Sequence, residues 1–147
     1  MALKNKQSRG ANTFEKIQKI LSENGARMVM FDYASDGRID CLTFSLMIDD
    51  NLRGFRMPAM VENVEHILFG GVDRYNQKKV PTALQKEQAY KTAWANIRDW
   101  LDAQMALVKT RQVKVDQVFL PYMIGKDNKT VYEISKLNSA LLLGDGK

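Results

Sequence analysis

Residues 26–58 read ARMVMFDYASDGRIDCLTFSLMIDDNLRGFRMP, and the period of that stretch sets the fold. Met28 and Met30 alternate with Val29, Phe31 and Tyr33, the two-residue repeat of a half-buried strand. Ser35-Asp36-Gly37 supplies a tight turn. From Ile39 to Ile48 the alternation resumes, with Leu42, Phe44, Leu46 and Ile48 on one face and Cys41, Thr43 and Ser45 on the other. Asp49-Asp50-Asn51 turns the chain again. Leu52 to Met57 makes a third short strand, ended by Pro58, which has no N–H to give a ladder. Three strands in chain order form an antiparallel meander, and its apolar face requires a helical cover.

The flanks supply that cover. Upstream, Phe14, Ile17 and Leu21 recur at helical spacing. Asn12 offers an N-cap with Glu15 as its reciprocal partner, and Asn24-Gly25 ends the helix. Residues 1–11 carry Lys4, Lys6 and Arg9 and no acid; they read as a flexible basic arm ahead of a single α+β domain over residues 12–147. Downstream, residues 59–69 predict a second short helix with Met60, Val64, Ile67 and Leu68 inward. Gly70-Gly71 breaks it, and residues 72–81 form a polar loop containing Lys78-Lys79.

Thr82 then caps a long helix over about residues 83–110, which contains no Gly or Pro and spans about 40 Å at ~1.5 Å per residue. Ala93, Ile97, Trp100 and Leu101 keep its apolar spacing. A helix this long either protrudes or is broken. Val113 and Val115 fit an edge strand or a connection, and Asp116 is a plausible cap for a short segment around Phe119. Lys126-Asp127-Asn128-Lys129 reads as a turn, Thr130 to Leu137 as weakly helical, and Leu141-Leu142-Leu143 as an apolar plug. The fold class is α+β: a three-stranded meander packed against helices, one of them long.

Composition bounds the function. The chain has 147 residues and a net charge of +5, with one Cys and one His. That length fits one domain and excludes large multidomain enzymes. The lone Cys41 excludes a disulfide scaffold or a cysteine-rich zinc module. With neither an apolar leader nor a membrane-spanning stretch, the expected location is cytoplasmic, with no membrane partner. The basic surplus is +2 in residues 1–60, zero in 61–108 and +3 in 109–147, with no polybasic run.

Catalytic chemistry finds few supports. His66 is a single imidazole on a short helix, so a two-histidine metal site is impossible within one chain, and no nucleophile-elbow motif accompanies it. Asp32, Asp36 and Asp40 match some positions of a calcium loop around Gly37. Ala34 and Thr43 then stand where an aspartate and the bidentate glutamate belong. Asp49-Asp50 and Asp36 lie at opposite ends of a strand, up to ~40 Å apart at ~3.4 Å per residue, too far for a two-metal site. No glycine-rich phosphate loop is present. The expectation is a protein that is not an enzyme, with no metal and no cofactor.

Binding to nucleic acid has better support. Lys78, Lys79, Lys91 and Arg98 lead into and along the long helix; Lys91 and Arg98 share a face, whereas Lys86 lies about 140° from Lys91. Arg53 and Arg56 bracket Phe55, an arrangement that offers cation and aromatic surface to a single strand. The competing reading is a solvated helix face with Glu87–Lys91 and Arg98–Asp102 pairs. Trp94 and Trp100 project from different sides of the helix. One enters the core, and the other needs a second surface: the segment holding Phe119 and Tyr122, or a second subunit of a homo-dimer. Trp100, Phe119 and Tyr122 are therefore candidate protein-interface residues.

Ala89-Tyr90-x3-Trp94, Trp100-x3-Gln104-x2-Leu107, Val118-Phe119-Leu120-Pro121-Tyr122-Met123 and Thr130-Val131-Tyr132-Glu133 together resemble a family of small bacteriophage and prophage proteins. The resemblance covers residues 89–133. It implies a mobile-element origin and a bacterial cytoplasm, and it carries over no catalytic residue. Two functions follow from that setting: an accessory factor that binds nucleic acid or a nucleoprotein complex, or an anti-defence inhibitor that blocks a host nuclease by protein–protein binding. A small nuclease or transferase comes third. The positive charge argues against mimicry of DNA.

Overall fold

The structure is a computed structural model that describes residues 2–138, with side chains from residue 12 onward. The expected apolar plug at residues 141–143 lies outside the described residues. The three expected strands are present: β1 (Met28–Tyr33), β2 (Ile39–Ile48) and β3 (Asn51–Pro58). They form one antiparallel sheet in chain order. Asp49 and Asp50, both at positive φ (51° and 66°), make the two-residue turn between paired Ile48 and Asn51. That twist matches the flanking strands. At the first turn Gly37 takes φ 87°, and the Arg38 N–H donates to Asp36 Oδ1 at 2.9 Å.

Among the described residues five α-helices accompany the sheet: α1 (Ala2–Glu23), α2 (Val61–Phe69), α3 (Ala83–Lys109), α4 (Val115–Phe119) and α5 (Val131–Leu137). None of the described helices is long and apolar enough to cross a membrane. Helix α1 begins before the expected Asn12 cap, so Asn12 sits inside the helix instead of opening it. Helix α3 is unbroken over 27 residues. It opens with Thr82 Oγ1 accepting from the Gln85 N–H at 3.1 Å, while Gln85 Oε1 accepts from the Thr82 N–H at 3.0 Å. Val115 opens α4 and forms no edge strand. Lys114, not Asp116, occupies its N-cap, where the Lys114 N–H donates to Gln117 Oε1 at 2.8 Å.

The core lies between one sheet face and helices α1, α3 and α4. Ile17 and Leu21 from α1 meet Leu42, Phe44 and Phe55 of the sheet and Trp94 and Leu101 of α3, all nearly or fully buried. Trp94 ties α3 to the start of β2, its indole N–H donating to the Ile39 carbonyl at 3.0 Å. Tyr90 takes the other backbone group of that residue, its hydroxyl oxygen accepting from the Ile39 N–H at 3.1 Å. Trp100 packs edge-on to both Phe119 and Tyr122, so the second surface its position demanded is supplied by the same chain.

Helix α2 departs from expectation. Ile67 is 80% exposed, and Met60 and Leu68 also face largely outward. The apolar residues of this short helix spread over too much of its circumference for one face to hold them all. Met60, at φ 53°, sets the entry of the helix and turns Val61 and Val64 towards the protein.

Candidate nucleic-acid interface

The structure distributes the expected basic residues over separate places. Lys91 and Arg98 line a cleft between α1 and α3, beside Thr13, Phe14, Tyr90 and Trp94. Helix α2 packs on the Ala93 and Ile97 side of α3, and Lys91 is about 200° from Ala93 around the helix. The cleft and the α2 side therefore do not form one continuous stripe. Arg98 spends part of its charge on its neighbour, with Nη2 2.9 Å from Asp99 Oδ1, and not on Asp102. Glu87 pairs with Arg38 at 3.2 Å and not with Lys91.

The Arg53–Phe55–Arg56 arrangement does not present a ligand surface. Phe55 is fully buried and stacks on Phe44, ring centroids 5.3 Å apart. It stands directly opposite Phe44 in the ladder, so alternation sends it inward and puts Arg53 and Arg56 on opposite faces. Arg53 remains exposed at the strand end. Arg56 is held by α5 and the turn before it: Nη2 donates to the Asn128 carbonyl at 2.6 Å and lies 3.4 Å from Glu133 Oε1. Phe119 is likewise fully buried, which removes it from the interface set, and Trp100 packs edge-on to it and to Tyr122.

Burial, followed by the nearby Asp32 carboxylate, pushes the Cys41 thiol up to about 11, so it stays protonated and is a poor nucleophile at neutral pH. Cys41 and Arg56 border a cleft of about 580 Å³ with Pro58, Tyr122 and Tyr132, in which the guanidinium is already engaged. His66 is exposed on α2. Among the described residues, no three His, Cys, Asp or Glu side chains converge as a metal set.

The loop after α2 is more ordered than its polar sequence implies. Val72 and Lys78 bridge in antiparallel fashion, and the Lys79 N–H donates to the Gly71 carbonyl at 2.9 Å. Residues 71–79 thus form a small β-hairpin. At its tip the Asn76 N–H donates to the Asp73 carbonyl at 3.0 Å and the Asp73 N–H to the Gln77 carbonyl at 2.9 Å. Asn76 takes φ 62°, a left-handed conformation that asparagine tolerates. This is a type I turn closed by a bulge. Asp73 Oδ1 reinforces it by accepting from the Tyr75 and Gln77 N–H groups at 2.8 and 2.9 Å.

Arg74 and Tyr75 consequently occupy the two corners of the turn. Tyr75 is 69% exposed, and the Arg74 guanidinium carbon lies 5.0 Å from its ring centroid. Lys78 and Lys79 are exposed on the returning arm. Neither they, Arg74, Lys91 nor Arg53 has a carboxylate within ion-pair distance among the described residues. The cation and aromatic combination expected on β3 is found here instead. The sequence reading missed Arg74 and Tyr75; the available signal was Asp73 three residues before Asn76, both turn formers. Compared with protein-family models, with curated proteins and with solved structures, the chain shows no significant match.

Proposed function

We propose that this protein is a non-catalytic nucleic-acid-binding factor, an accessory protein of a phage or other mobile element that acts on nucleic acid or a nucleoprotein complex. The observation that carries the reading is the hairpin of residues 71–79, where Arg74, Lys78 and Lys79 stand exposed beside an exposed tyrosine, with no carboxylate partner among the described residues. Cations free of carboxylate partners can replace the counterions of a phosphate chain, which is the dominant source of affinity in such complexes. Lys91 and Arg98 on the α1–α3 cleft and Arg53 at the β2–β3 turn serve as secondary contacts.

A second reading is inhibition of a host defence nuclease through protein–protein binding. Ile67, Val80 and Leu84, each about 80% exposed, favour it, because such apolar exposure near a structured loop suits a protein partner. Titration with oligonucleotides over a salt series separates the two. Under the first reading affinity falls linearly on logarithmic axes as salt rises, by a slope of roughly −0.7 per neutralised phosphate on single strands. Replacing Lys78, Lys79, Lys91 and Arg98 with Ala weakens binding evenly across sequences and flattens that slope. An unchanged slope sinks the assignment, and salt-tolerant binding to a nuclease in place of oligonucleotides establishes the second reading.

A further inference from the structure

We infer that the hairpin of residues 71–79 is a site for unpaired nucleotides, in which the Tyr75 ring stacks on an exposed base while the neighbouring cations hold the adjoining phosphates. The inference rests on the nucleic-acid reading above and narrows it to single strands. Tyr75 remains 69% exposed although Arg74 already lies over its ring at 5.0 Å. A ring with one face covered by a guanidinium and most of its surface in water is a stacking platform. The bases of a duplex have both faces occupied by their neighbours, so only an unstacked base can use it.

The hairpin is built before any ligand arrives. Two N–H bonds to Asp73 Oδ1 and two backbone bonds across the turn fix the corner on which Tyr75 sits. Stacking therefore orders little more than the ring itself, which keeps the entropic cost of binding low. Lys78 and Lys79 are exposed on the returning arm, three and four residues after Tyr75, and Arg74 precedes the ring. A phosphodiester chain crossing the tip meets positive charge before and after the ring.

The test uses three probes: an oligothymidine, an abasic phosphodiester strand of the same length and a duplex. Tyr75→Ala is expected to weaken the oligothymidine about 5- to 140-fold, the range that loss of one base–aromatic stack gives. Tyr75→Phe, which keeps the ring, retains wild-type affinity. The abasic strand and the duplex bind both variants as they bind the wild type, and equal urea midpoints show that the fold is intact. A Lys78→Ala/Lys79→Ala variant instead weakens all three probes together. If Tyr75→Ala leaves the oligothymidine unaffected, or weakens the abasic strand equally, the stacking site is overturned while phosphate binding stands. If wild-type protein binds none of the probes at low salt, the nucleic-acid reading itself falls.

Discussion

Phe55 and Tyr75 are both aromatic residues next to arginine, and the structure gives them opposite fates. Phe55 lies on the outer strand β3 opposite Phe44 and disappears into the core, with Arg53 and Arg56 directed to opposite faces. Tyr75 stands at the corner of a tight turn, where no strand or helix among the described residues covers it. The difference teaches that a cation–aromatic grouping in sequence becomes a surface only where the backbone period lets its members point the same way. In a strand the period of two separates odd and even positions; at a turn corner, adjacent residues can meet.

That contrast is open to direct attack, and the largest effect falls on the buried ring. Phe55→Ala is expected to cost about 3–5 kcal/mol of stability, read as a lowered urea midpoint. Its specific affinity for oligonucleotides stays unchanged per folded molecule. Tyr75→Ala should do the reverse, with stability within about 0.5 kcal/mol of wild type, as for most surface changes. Comparable losses of stability from the two substitutions would erase the distinction.

The hairpin also depends on how it leaves α2. A Cβ on Gly70 would sit 2.7 Å from the His66 carbonyl oxygen and 2.8 Å from His66 Nδ1, closer than the helix end can accept. Gly70→Ala is expected to destabilise by about 1–3 kcal/mol through overpacking and to displace the hairpin. The check is paired: a urea melt for stability and an oligonucleotide titration at a temperature where the variant is folded. A hairpin that keeps full affinity after this substitution would show that its placement on α2 is irrelevant.

The smallest effect concerns Arg56, the cation on β3 that is engaged elsewhere. Hydrogen bonds from the Thr130 N–H and hydroxyl, then the Arg56 guanidinium, hold the Glu133 carboxyl below the ordinary glutamate range. A depressed folded value means that the stabilisation is fully present above the unfolded value of about 4.3. It is lost as pH falls through the lower folded value. Acidification below the unfolded value should therefore loosen the link from β3 to α5, and Glu133→Gln should reduce the pH dependence of the urea midpoint. An identical pH profile in the variant would remove Glu133 from that role.

These elements were not equally legible in the sequence. The meander was readable because alternation, Asp-Gly and Asp-Asp turn chemistry and a terminal proline all agree over residues 26–58. The α3 start was readable because Thr82 and Gln85 form both halves of its cap. Trp100 could be placed against Phe119 and Tyr122 because its angle on α3 left it off the Trp94 side. The inward face of α2 was not readable: Val61, Val64, Ile67, Leu68 and Phe69 are all apolar, and only the entry through Met60 selects among them. Tyr75 was overlooked because its exposure follows from hydrogen bonds to Asp73, which composition describes only as a polar loop. Phe55 was misplaced for a different reason. Its arginine neighbours drew the reading, although its alternation partner Phe44 already fixed the side it occupies.

The chain-order sheet also has a kinetic consequence. Pairing β1 with β2 and β2 with β3 closes only short turns, whereas the bond from Trp94 to Ile39 spans 55 positions of sequence. On a logarithmic loop-entropy scale, closing that span costs about 2 kcal/mol more than closing a turn of some five residues. Local contacts form before distant ones repay their closure, so the sheet is expected to assemble ahead of α3 docking. Tryptophan fluorescence on refolding should then trail the far-ultraviolet signal, and simultaneous traces would mean that sheet and helix arrive in one step.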